Sequence, residues 1–166
     1  MQLTFTDSEI KQILSRGIIN SLNEVVSVSD LISMIEPASS DLPIGNIAYE
    51  IKELFLPHNK TISDAIKELK TRTIPLEQGA YLQKGVHFVV PLISVTNDGT
   101  LDDKFVKFSP KSSIGRVDLM TRTVADNFGL YDVLPKKFNG NVWNILSPQN
   151  FNVYLKGGMS LNQLRF

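Results

Sequence analysis

Beyond residue 72 the sequence breaks into short segments rich in Val, Ile, Phe, Tyr and Thr. Gly, Pro and Asn separate them about every eight to twelve residues, the spacing of a sandwich or barrel built from short strands. Val86-His87-Phe88-Val89-Val90 is apolar at successive positions, which predicts a central strand covered on both faces. Near the end, Phe151, Val153 and Leu155 alternate with Asn152, Tyr154 and Lys156, the pattern of a half-exposed strand. Gly157-Gly158 then turns the chain into a last strand over residues 159–166.

Helices are few. Thr6-Asp7-Ser8-Glu9 has the form of a capping box, Ile10, Ile13 and Leu14 share one helical face, and Gly17 supplies the stop. This predicts a helix over about residues 7–17. A second fits residues 61–70, capped by Thr61 or Ser63 and apolar along Ile62, Ala65, Ile66 and Leu69. The reading is a mainly β domain over residues 1–166, its β core running from about residue 30 to 166, with short helices added. The chain ends on a strand-like segment at Phe166, which leaves a complete domain and the first part of a longer chain equally open.

Composition removes several functions. With no cysteine, disulfides, thiol nucleophiles, iron–sulfur clusters and cysteine-based zinc sites are all excluded. The zinc deaminases, which need paired cysteines, go with them. Two histidines, His58 and His87, offer little for a metal site, and none is expected. Seventeen basic residues against seventeen acidic ones argue against a nucleic-acid partner. No apolar run is long enough to cross a bilayer and no leader precedes Asp7, so a cytoplasmic, membrane-free location is the default.

The densest polar cluster is Ser109-Pro110-Lys111-Ser112-Ser113-Ile114-Gly115-Arg116. If a helix starts at Ser112 or Ser113, its free N–H groups and Arg116 form a corner suited to phosphate. A serine-capped helix with solvated Lys and Arg explains the same residues. Asp132 stands before a turn, either orienting a water or sugar hydroxyl or bonding its own backbone. Residues 36–45 read as a small polar loop carrying a carboxylate. Gln163 and Arg165 share one face of the last strand, where they either reach a ligand or lie exposed on a sheet edge.

Four segments in this order carry a resemblance: residues 36–45, the run Pro110-Lys111-Ser112-Ser113-Ile114-Gly115-Arg116-Val117-Asp118, residues 132–140, and residues 158–166. Together they resemble the dCTP deaminase family of the dUTPase-like superfamily, and most closely the first domain of its longer two-domain bacterial members. The likeness includes Pro37-Ala38-Ser39 and Ala48-Tyr49. The resemblance implies a dUTPase-like distorted β-barrel, or β-clip, with nucleotide sites where the subunits of a homotrimer, or a second domain of the same family, meet. It implies hydrolytic deamination of dCTP to dUTP and ammonia without zinc, the only ion being Mg2+ carried by the triphosphate. By position it places Lys111, Ser112, Ser113, Gly115 and Arg116 on the phosphates, Asp132 on the deoxyribose or a water, and Gln163 near the nucleotide. Catalytic roles fall to Ser112 and Asp132.

One position departs from the family. There a glutamate five residues past the glycine of the third segment activates the attacking water. Counting from Gly140 puts Ile145 at that place, within Asn141-Val142-Trp143-Asn144-Ile145-Leu146, which holds no carboxylate. Strand alternation sets Trp143 beside Ile145 as an apolar wall of the nucleotide pocket. Three functions therefore compete: dCTP deamination, a degenerate domain that binds nucleotide or scaffolds a trimer, and dUTPase-like pyrophosphate hydrolysis through Asp132. The last usually relies on a glycine-rich C-terminal arm not found in these 166 residues.

Overall fold

The computed structural model describes residues 6–22, 25–37 and 39–166. The leader-free reading of residues 1–5, and Ala38 of the Pro37-Ala38-Ser39 motif, lie outside the described residues. Thr6 opens α1 (Asp7–Ser15) with the expected reciprocal bonds, its hydroxyl accepting from the Glu9 N–H and its own N–H donating to the Glu9 carboxylate at 2.7 Å. Gly17, at φ 68°, then reverses the chain into β1 (Ile19–Ser21). Where the β core was expected to begin, the structure has a helix, α2 (Val28–Ser33). Ser27 and Asp30 close a second capping box there, a local signal strong enough to nucleate one and a half turns.

The remaining elements are β2 (Ile35–Glu36), β3 (Ser39–Pro43), β4 (Ile47–Ile51), α3 (Ile62–Leu69), β5 (Lys70–Pro75), β6 (Ala80–Leu82), β7 (His87–Val95), β8 (Lys107–Pro110), α4 (Ser112–Gly115), β9 (Leu119–Ala125), β10 (Gly140–Pro148), β11 (Val153–Leu155) and β12 (Ser160–Arg165). A six-stranded sheet runs β5-β4-β7-β10-β9, with β1 pairing the far end of β7. A four-stranded sheet runs β2-β3-β12-β8, and β6 pairs β11 alone. The pairings between these strands are all antiparallel. No helix among the described residues is long and apolar enough to cross a membrane.

Strand β7 explains why its sequence is apolar on both faces. Phe88, Val90 and Leu92 enter the main core, shared with Ile10, Ile13 and Leu14 of α1, Val142 and Leu146 of β10, and Leu161 and Leu164 of β12. Val89 points the other way, into a second cluster with Trp143, Ile145 and Val124, roofed by Ile62 and Ile66 of α3. Helix α3 is fixed there by Asp126, whose carboxylate accepts from the Ile62 N–H at 2.8 Å and the Asn141 N–H at 3.0 Å. Gly45 passes Pro91 so closely that an added Cβ would sit 2.7 Å from the proline Cγ, so this bend of the 36–45 segment admits only glycine without displacement.

Candidate functional site

The Lys-Ser-Ser run leaves the four-stranded sheet at the end of β8. The Lys111 N–H donates to the Leu161 carbonyl at 2.9 Å, which pins the exit, and α4 then makes a single turn. Lys111 occupies its N-cap position and no side chain caps it, so the expected serine cap is absent. Only Ile114 of α4 is buried, while Ser112, Ser113, Gly115 and Arg116 are exposed. One turn carries little macrodipole, so any pull on an anion here comes from the two hydroxyls and Arg116. Among the described residues those three side chains have no hydrogen-bond or ion-pair partner.

Lys111 is differently placed. Its Nζ pairs with Asp41 of β3, a carboxylate in the segment read as a loop, whose side chain is only 12% exposed. The second carboxylate oxygen accepts from Gln163 Nε2 at 3.1 Å, and Arg165 Nη2 donates to the side-chain Oε1 of Gln163 at 3.4 Å. The register accounts for the meeting: Gln163 lies opposite Asp41 on one side and Ser109 on the other. This corrects the edge reading of Gln163 and Arg165, because β12 runs between β3 and β8.

Asp132 adopts φ 63° and ties three backbone stretches together. Its N–H donates to the Thr123 carbonyl at 2.9 Å and its carbonyl accepts from the Phe108 N–H at 2.9 Å. Its carboxylate accepts from the Thr123 N–H at 2.8 Å and from Arg122 at 2.7 Å. The carboxylate therefore bonds strand β9, nine and ten positions away, and not the backbone of its own turn as the turn-forming reading has it. Sequence reasoning missed Arg122, whose only signal was a cation on a strand facing the Asp132 turn. Burial pushes the neighbouring Tyr131 phenol above its ordinary value, the charge of Arg122 opposing that shift.

Ile145 and Trp143 lie on one face of β10, as alternation requires. Ile145 pairs across the ladders with Val89 and Arg122 and is fully buried, and Trp143 is 6% exposed. Tyr49 tilts against the indole at 6.2 Å between centroids, and the indole N–H has no partner. The apolar wall exists, but in this chain it faces α3 and the second cluster rather than an opening. His87 shares a 2.6 Å hydrogen bond with Ser147, whose burial keeps that hydroxyl from any substrate.

A cavity of about 790 Å³ opens elsewhere, between β1, α2 and β7, lined by Asn20, Ser21, Ser27, Leu31 and Ser94 among others. None of the residues singled out from sequence lines it. Among the described residues, no three His, Asp or Glu side chains gather as metal ligands.

The chain matches the family of the 2'-deoxycytidine 5'-triphosphate deaminase (DCD) N-terminal domain over residues 2–166. Among solved structures it is similar to the crystal structure of 2'-deoxycytidine 5'-triphosphate deaminase from Agrobacterium tumefaciens, with 28% identity and a TM-score of 0.86. That similarity covers 99% of this chain and 48% of the other, so the chain spans about half the length of that relative. No curated protein matches it.

Proposed function

Because the chain belongs to the family of the dCTP deaminase N-terminal domain, we propose that it is a nucleotide-binding, assembly-holding domain that does not itself deaminate. Its fold is the mainly β, dUTPase-like one, and its family works in nucleotide metabolism. The observation that carries the proposal is Ile145. At the place the family resemblance gives to the water-activating glutamate, the chain has a fully buried aliphatic side chain. An isoleucine neither takes a proton from water nor passes one to ammonia, a loss of roughly 10²–10⁴-fold for that function alone.

The carboxylates of the first and third family segments offer no ready substitute. Asp132 accepts from Arg122 and Thr123, and Asp41 from Lys111 and Gln163. This also weighs against pyrophosphate hydrolysis through Asp132. Binding groups remain: Ser112, Ser113 and Arg116 are exposed and uncommitted, suited to the phosphates of dCTP or dUTP with Mg2+ arriving on the triphosphate. A homotrimer partner or a second domain of the same family would complete such a site. The same free side chains favour a second reading, deamination of dCTP to dUTP with the carboxylate supplied across that boundary.

Incubation of the purified chain with dCTP, and separately dUTP, in magnesium buffer tests this, with products resolved by anion exchange. The expected result is no product from either nucleotide. Appearance of dUTP from dCTP would establish the second reading, and dUMP from dUTP would establish hydrolysis.

A further inference from the structure

The ion pair at the root of the Lys-Ser-Ser run bears on how the proposed site attracts a nucleotide. Asp41 and Lys111 lie 70 positions apart in sequence and meet because β3 and β8 flank β12. Asp41 is over-determined: one oxygen holds the Lys111 ammonium, the other holds Gln163 Nε2, and the residue is 9% exposed. Gln163 is itself held by Arg165. We infer that Asp41 is a built-in counter-anion, holding Lys111 away from phosphate and leaving Arg116 as the cation that engages a polyanion. The inference rests on the reading of the 111–116 run as a phosphate site.

Asp41 and a bound phosphate compete for the Lys111 ammonium. For Lys111 to contact a phosphate, its ammonium must leave Asp41, stranding a mostly buried carboxylate without its countercharge. A ligand must supply that free energy before gaining anything from the lysine. With the pair intact, the run presents the single net positive charge of Arg116 rather than two. The four-strand row thus sets the affinity of the corner from outside it, and the 36–45 segment acquires a role as a positioning element. Asp41 itself touches no ligand in this account.

Isothermal titration calorimetry with inorganic pyrophosphate and with dCTP, on the full chain, tests the inference through a double-mutant cycle. Asp41→Asn keeps the side-chain shape and an oxygen for Gln163, but releases Lys111. It should tighten binding about tenfold, the size of one added charge-assisted hydrogen bond. Lys111→Gln should weaken binding, because it unmasks the Asp41 charge. Combining the two should return the affinity to near the starting value. If the unaltered chain binds and Asp41→Asn binds no tighter, the inference is overturned. If neither chain binds either anion, the phosphate site itself falls and takes the inference with it. Should Asp41→Asn fail to fold, the Lys111 ammonium can be followed by nitrogen-15 NMR in the unaltered chain. Its signal should be unmoved at saturating pyrophosphate, and a shift on binding would overturn the inference.

Discussion

Arg116, Ile145 and Asp41 illustrate three kinds of legibility in a single residue. Arg116 is read from its run, and the structure leaves it exposed and unpartnered, as a binding cation must be. Its removal therefore separates binding from stability. If the chain binds dCTP as proposed, Arg116→Ala should abolish the rise in melting temperature expected at millimolar dCTP, while changing the unliganded unfolding free energy by less than about 0.5 kcal/mol, the range of surface substitutions. Thermal denaturation with and without dCTP checks both halves, and full retention of the ligand shift would remove Arg116 from the site. Ile145 is read by counting from Gly140, and its face follows from alternation. What alternation does not say is that α3 covers that face. For Asp41 the sequence offered a carboxylate in a polar segment but not its pairing, because nothing within residues 36–45 names a partner 70 positions away.

At the scale of elements, local chemistry was readable where it is self-contained. The capping box of α1 lies within four residues, so the helix start is written in Thr6-Asp7-Ser8-Glu9. Ser27 and Asp30 carry the same signal for α2, which setting the start of the β core at about residue 30 passed over. These boxes predict an acid response. Backbone and side-chain bonds from Thr6 hold Glu9 below its ordinary value of 4.5, and bonds from Ser27 hold Asp30 below 3.8. A depressed carboxylate contributes stability that is complete above its unfolded pKa and lost as pH falls through its folded one. Amide exchange corrected for intrinsic rates should show the first turns of α1 and α2 less protected at pH 3 than at pH 6. Equal or greater protection at pH 3 would contradict the caps.

Helix α3 depends on a longer reach. Its start was legible in Thr61 and its apolar spacing, yet its docking rests on Asp126, 64 positions from Ile62. Asp126→Ala leaves two backbone N–H groups without their acceptor, and it should cost about 2–4 kcal/mol. Urea unfolding measures this, and a loss below about 1 kcal/mol would mean that water serves as well.

For the whole molecule, period and punctuation gave the fold class, because short strands separated by turn residues have few ways to bury their faces. The order of strands within the sheets was beyond reach, since β12 beside β3 and β8 is a long-range pairing with no local signature. So was the polar contact where the two larger sheets meet. There Asn162 Nδ2 of β12 donates to Thr123 Oγ1 at 2.7 Å and to Asn144 Oδ1 at 2.9 Å, all three side chains being buried. Three polar residues spaced through separate apolar strands read individually as outward-facing positions, and only the packed sheets bring them together.

Whether the face at residue 145 is closed core or open pocket decides between the proposed binding domain and a working deaminase. Equilibrium urea unfolding of Ile145→Glu measures this most directly, because a carboxylate tolerates only the second. We expect a loss of about 3 kcal/mol or more, the size of an uncompensated buried charge, with no dCTP turnover gained. A variant as stable as the unaltered chain, and able to convert dCTP to dUTP, would contradict the account and show that a working deaminase site lacks only its glutamate.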